Sequence, residues 1–157
     1  MRFALYQPDI PQNTGGMIRL AVCLGLGLDI IGPCGFIYNE TKMRRVGLDY
    51  TERSRAQFHT SWTTFLHEHI SHKRRLILLT TRAATPYCAV RFQPTDTLLL
   101  GQESCGVPDE VRDQTDVNVC IPMGEGGRSL NIVTAAAMVA GEALRQNDLF
   151  PLHQKTS

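Results

Sequence analysis

Three stretches of this chain gather groups that could hold a ligand. In Ile121-Pro-Met-Gly-Glu-Gly-Gly-Arg-Ser-Leu-Asn131, a glycine-rich segment separates an apolar run from an alanine-rich one. Glycines there let backbone approach a ligand closely, and the start of a following helix offers unpaired N–H groups. Of Ser129 and Asn131, one is expected to cap that helix and the other to reach the ligand. The second stretch, Leu99-Leu-Gly-Gln-Glu-Ser-Cys-Gly-Val-Pro108, follows another apolar run. The third, Pro11-Gln-Asn-Thr-Gly-Gly-Met-Ile-Arg19, adds a carboxamide and a guanidinium.

Several familiar chemistries are excluded by spacing. Gly25-Leu-Gly27 runs on into Leu28-Asp-Ile30 without the third glycine of a dinucleotide fingerprint, and no phosphate-binding G-x-x-x-x-G-K-[ST] is present. Gly101 to Gly106 holds one residue too many for a G-x-S-x-G nucleophile elbow, which argues against Ser104 as a hydrolase nucleophile. Of His67, His69 and His72, only the last two could share a helix face, and no carboxylate or cysteine completes a ligand set. An exposed helix end is expected there, and no metal. Cys105 has no basic neighbour in sequence and reads as a small filler.

The elements that must position these groups alternate between strand and helix. Strands are expected at Arg2–Tyr6, Leu28–Ile31, Leu76–Thr80, Thr97–Leu100 and Val117–Ile121. Helices are expected from about Gly15 to Leu24 behind an Asn13-Thr14 cap, over Lys42–Val46, from a Ser61 cap through Ile70, over Pro108–Gln114, and over Asn131–Gln146. The strands read as unbroken apolar runs, which indicates an α/β domain around a mainly parallel sheet flanked by helices. Ligands in such folds sit beyond the carboxyl ends of strands. That places the candidate junctions after Leu79, Leu100 and Ile121.

The chain has 157 residues, 43% hydrophobic and 20% charged, which suits a single domain over residues 1–150 with a loose tail at 151–157. No apolar run approaches the ~20 residues that span a bilayer, and the first residues lack a secretory signal. Five scattered cysteines without a C-x-x-C pair suit a reducing cytoplasm. The net charge is only +1, but basic residues cluster at Lys42–Arg45, Arg53–Arg55 and Lys73–Arg75. Such local patches can bind phosphates.

Taken in order, these motifs resemble the SPOUT-class RNA 2′-O-methyltransferases. Asn13-Thr-Gly15-Gly-Met-Ile-Arg19 matches the first motif of that family, Leu99–Pro108 the second, and Ile121–Asn131 with its alanine-rich helix the third. Arg44-Arg45-Val-Gly47-Leu-Asp49-Tyr50 is similar to the signature of the minimal subgroup that methylates the tRNA wobble ribose. The likeness runs from Tyr6 to about Gln146. It implies a C-terminal trefoil knot, a homodimer, and S-adenosyl-L-methionine bound by the three loops already singled out. It also implies a substrate at position 34 (cytidine or uridine) of the tRNA anticodon stem-loop, in leucine tRNAs.

On that likeness Leu79, Gly101, Glu103, Ile121, Met123, Ser129 and Leu130 hold the cofactor. Arg19, Asn13, Glu103 and Asn131 form the catalytic group, and Arg44, Arg45 and Tyr50 bind RNA. Arg19 corresponds to the family's hydroxyl-activating arginine. A guanidinium stays protonated in proteins, so phosphate binding and stabilisation of a developing alkoxide are its easier roles, beside an ion pair with Glu103. Asn13 either orients Arg19 or caps its helix. One departure is Gly141, before Glu142, where the subgroup often carries an aromatic residue near its dimer interface.

Overall fold

A computed structural model describes residues 1–37 and 56–152. Arg44, Arg45, Tyr50 and the helix expected over Lys42–Val46 lie outside these residues. The described chain runs β1 (Arg2–Tyr6), α1 (Pro11–Leu24), β2 (Gly27–Ile31), β3 (Ala56–His59), α2 (Trp62–Ser71), β4 (Leu76–Leu79), β5 (Thr97–Leu100), α3 (Asp109–Arg112), β6 (Val117–Val119) and α4 (Ile132–Gln146). The strands form one six-stranded sheet in the order β3-β2-β1-β5-β4-β6. Every pairing is parallel.

Alternation along each strand sends side chains to two helical layers. Phe3, Leu5, Leu28, Ile30, Ile77, Leu98 and Leu100 pack with Met17 and Ile18 of α1 and Ala136, Val139 and Ala140 of α4. Ala4, Tyr6, Ile31, Leu76, Leu78 and Leu99 pack with Phe65 of α2 and Val111 of α3. α1 and α4 lie so close that a Cβ on Gly16 would meet Val133 Cγ2 at 2.9 Å. The absence of a side chain at Gly16 on α1 permits that approach.

Helix α1 starts at Pro11, earlier than its sequence suggests, behind Ile10, which supplies no side-chain cap. Proline at the first position presets φ for the helix and needs no N–H there. Asn13 is therefore inside the first turn and does not cap it. Gly25 closes the helix in the left-handed conformation, with φ 67°. Ser61 caps α2 as expected, accepting from Thr64 N at 3.2 Å. The histidine expectation needs correction at His69. That ring is buried and stacks on Phe65 with centroids 5.4 Å apart, and burial lowers its pKa.

Strand β3 was not foreseen, because Ala56-Gln-Phe-His59 alternates weakly and lacks an apolar run. Its last residue completes an ion network across three strands. Arg2 donates to both oxygens of buried Asp29, at 2.7 and 2.9 Å, while His59 Nε2 donates to Asp29 Oδ1 at 2.9 Å. Glu68 Oε2 lies 3.7 Å from the other ring nitrogen.

On the opposite side of the sheet, the segment between β4 and β5 is held twice. Thr85 O accepts from Cys120 N and Tyr87 N donates to Cys120 O, each at 2.9 Å. Beyond them, Gln146 Nε2 donates to Val90 O at 3.1 Å and Asn147 Nδ2 to Phe92 O at 3.3 Å. The segment thus lies between the end of β6 and the end of α4.

Candidate active site

The three strand ends expected to compete for a ligand meet in one cavity of about 620 Å³. Leu79 follows from β4, Gly101 to Val107 from β5, and Ile121, Met123 and Arg128 to Asn131 from the β6–α4 connection. All seven residues expected to hold a cofactor line it, as do Asn13 and Asn131. Arg19 does not; it is an exposed residue of α1.

The β5 loop is shaped by its two glycines. Gln102 and Gly106 exchange backbone hydrogen bonds at 2.8 Å in both directions, closing a small ring, with Gly106 at φ +75°. Against that ring a Cβ on Gly101, just before it, would lie 2.5 Å from the Gly106 carbonyl carbon. The ring explains why this sequence is no nucleophile elbow: Ser104 is turned outward and donates to Asp9 Oδ2. Cys105 is exposed on the same ring, with Sγ 2.7 Å from Gln102 Oε1, and so is no buried filler.

Glu103 is clamped to the loop after β1. Asp9 N donates to Glu103 Oε2 and Glu103 N donates to Asp9 Oδ1, both at 3.2 Å. Asn13 Nδ2 donates to Glu103 Oε1, and Asn131 Nδ2 donates to Asn13 Oδ1, each at 3.0 Å. Asn13 therefore bridges Glu103 and Asn131, where sequence left a choice between capping its helix and orienting Arg19. Asn131 is also the cap of α4, accepting from Val133 N at 2.9 Å and Thr134 N at 3.4 Å. One residue thus fixes the helix start and the cavity wall together.

That double role separates two substitutions. Asn131→Ala is expected to cost about 1 kcal/mol, from the lost cap, and to release Asn13. Asn131→Asp keeps an accepting oxygen for the cap but cannot donate to Asn13. Thermal denaturation should show Asp close to wild type and Ala lower by about 2–4 °C for a chain of this size. Equal losses in both would disprove the separation.

The clamp also sets protonation. Burial pushes the Glu103 carboxyl above its ordinary value, and its hydrogen bond with Asp9 adds to that. The same bond, with help from Ser104, brings Asp9 down to about 2. Asp9 contributes stability that is complete above its ordinary 3.8 and is lost as pH falls through about 2. Glu103 acts in the opposite sense, favouring the fold when protonated and losing that contribution as pH rises through its raised value. Asp9→Asn removes the neighbouring charge, so the Glu103 midpoint, followed by carboxyl carbon NMR, should fall toward 4.5. An unmoved midpoint would uncouple the pair.

Sequence reasoning missed Asp9, which is separated from Glu103 by 94 positions and marked by no motif. It also missed Arg82, Arg112 and Arg128, which line the cavity. The Gly-Arg-Ser run pointed at the last of these only as loop.

The fold of this chain is shared by solved RNA methyltransferases. A structure from work on 2′-OH methylation of C/U34 on tRNA superposes with a TM-score of 0.86 and 38% identity, over 94% of this chain and 95% of its own. The methyltransferase AviRb of Streptomyces viridochromogenes, solved with AdoMet, gives 0.85 and 25% identity over 94% of this chain and 60% of its own. A protein of Beijerinckia indica described as a tRNA (cytidine(34)-2′-O)-methyltransferase is 50% identical over 143 residues, 91% of this chain and 89% of its own length. The chain belongs to the SpoU rRNA methylase family, which it matches over residues 1–141.

Proposed function

We propose that this protein methylates the ribose 2′-oxygen of the wobble nucleotide, cytidine or uridine 34, of tRNA, with S-adenosyl-L-methionine as donor. The observation that carries this reading is the meeting of three strand-end loops in one cavity, with Gly101 packed against Gly106 where no side chain fits. The similarity to the Beijerinckia protein and to the C/U34 structure supports the choice of nucleotide. Leucine tRNAs are the proposed isoacceptors.

The cavity suits the donor. Half-buried Leu79 and Ile121 offer apolar walls for an adenine ring, and loop backbone at Gly101, Ile121 and Leu130 offers polar edges. When bound, the donor supplies an activated methyl group on a sulfonium. Met123, Ser129 and Leu130 close the exposed side of the cavity. Asn13, Glu103 and Asn131, already joined by hydrogen bonds, hold the reacting oxygen in line without rearranging. Arg19 stands on α1 outside the cavity; as the counterpart of the family's hydroxyl-activating arginine, it holds substrate phosphate and stabilises charge developing on that oxygen once RNA is bound.

The same reading includes an RNA contact through Arg44, Arg45 and Tyr50, a homodimer, a cytoplasmic location and the trefoil knot. Ile10 and Met138, each 40% exposed, support an apolar interface. A Cβ on Gly141 would meet nothing within 4 Å, so the position has open space where the subgroup often carries an aromatic. Five free thiols agree with a reducing compartment. The double hold on the segment between β4 and β5 supports the knot. No described helix is long and apolar enough to cross a membrane.

Incubation with labelled S-adenosylmethionine and unmodified tRNA, followed by nucleotide mapping, should place the methyl group on ribose 34. Arg19→Ala should lose at least about 100-fold in rate, as for other oxyanion-stabilising groups, while keeping affinity for S-adenosylhomocysteine. Absence of transfer to any tRNA by a cofactor-binding preparation would refute the function.

A further inference from the structure

The charge of the cavity exceeds what its cofactor needs. Its ionisable lining includes Arg82, Arg112, Arg128 and Glu103. Arg112 is neutralised by Asp109 at 3.0 Å. Arg82 and Arg128 are exposed and take part in no ion pair among the described residues. They come from different strand-end loops, after β4 and before α4, yet border the same opening.

A sulfonium cofactor with its amino and carboxylate groups carries a net positive charge, so two further guanidinium groups at the opening would oppose it. Their sign fits an anion that arrives later from outside. A ribose presented by its 2′-hydroxyl carries a phosphate on the adjacent 3′-oxygen, so phosphate must come to rest beside any pocket that receives that hydroxyl. Guanidinium groups match phosphate oxygens in a bidentate fork.

We infer that Arg82 and Arg128 form a phosphate clamp at the cavity mouth, gripping the RNA backbone next to the reacting ribose. This rests on the proposed RNA substrate and adds a contact distinct from Arg44, Arg45 and Tyr50. Both side chains lie on the rim, whereas Leu79, Gly101 and Ile121 are half-buried around the cofactor space. Their work is to register the backbone, since phosphate contacts position a nucleic acid without reading its bases.

The test is equilibrium binding of an unmodified anticodon stem-loop across a salt series, beside calorimetry with S-adenosylhomocysteine. Each phosphate contact on single-stranded RNA contributes about 0.7 to the slope of log affinity against log salt. The double variant Arg82→Gln, Arg128→Gln should flatten the slope by about 1.4 and weaken RNA binding, leaving S-adenosylhomocysteine affinity unchanged. Arg82→Lys with Arg128→Lys should restore most of the slope. With no ion pair broken, the variants should melt as wild type does.

An unchanged salt slope in the Gln variant would overturn the clamp. Loss of S-adenosylhomocysteine affinity with RNA binding intact would overturn it too, assigning the arginines to the cofactor carboxylate. Because binding is read without turnover, either result stands apart from failure of wild type to methylate tRNA, which would reject the function itself.

Discussion

Gly101→Ala is expected to weaken cofactor binding strongly while leaving the chain folded. The new Cβ would sit 2.5 Å from the Gly106 carbonyl carbon and 2.7 Å from its Cα and oxygen. All three are backbone atoms of the same closed ring, so no side-chain tip can swing away. The Gln102–Gly106 hydrogen-bond pair must open to admit the methyl group, and the loop carrying Glu103 and Ser104 then leaves its clamp with Asp9. Overpacking of this kind costs about 1–3 kcal/mol. Because the strained loop is itself the cofactor wall, S-adenosylhomocysteine affinity measured by calorimetry should fall by up to about 100-fold, which is what the upper end of that cost amounts to. Gly124→Ala is the control, since a Cβ there meets nothing within 4 Å. Its effect on stability should stay within about 0.5 kcal/mol. Wild-type affinity in Gly101→Ala would show that this ring does not shape the cofactor site.

The largest loss of stability is expected from Asp29→Ala. Asp29 is 4% exposed and receives hydrogen bonds from both Arg2 and His59. Removing one member of a buried pair leaves the other charge desolvated without a partner, at a cost of about 3–5 kcal/mol. Here the charge left behind is Arg2, whose side chain is 20% exposed and can recover part of its solvation, while the His59 ring, 4% exposed, loses a hydrogen-bond partner. That places the expected loss near the low end, about 3 kcal/mol, or a fall of about 6–12 °C in Tm. His59→Ala should cost less, because Asp29 keeps its bidentate contact to Arg2. A fall under about 2 °C for Asp29→Ala would mean that the network contributes little beyond packing.

The ligand side of this protein was more legible in its sequence than the opposite edge. Thr97–Leu100 and Arg2–Tyr6 are unbroken apolar runs because they are buried on both faces, and both were bounded correctly. The junctions after Leu79, Leu100 and Ile121 named the cavity. What stayed hidden depended on partners far along the chain. Asp9 is an unremarkable loop residue until Glu103 folds against it. Asn13 looks like a helix cap because local sequence carries no sign that Asn131 will meet it. His69 looked exposed because a helix end on its own is exposed, and only Phe65 and the sheet beneath bury it. The helix expected from about Gly15 starts at Pro11 and the one expected from Pro108 starts at Asp109, as caps and prolines compete over one turn.

The sheet order also dictates when a binding site can exist during synthesis. Strand β1 pairs with Gly27–Ile31 on one side but must wait for Thr97–Leu100 on the other. The half formed by β1, β2 and β3 needs nothing later than His59 for its pairings. Every residue lining the cavity except Asn13 comes from Leu78 or beyond, and β4 and β6 join the sheet only through β5. A ribosome-bound chain that stops short of Thr97 therefore presents no pocket. Any small molecule that fits the cavity distinguishes finished from unfinished protein: at a hundredfold excess over Kd it adds about 2.7 kcal/mol to the complete fold and nothing to the fragment.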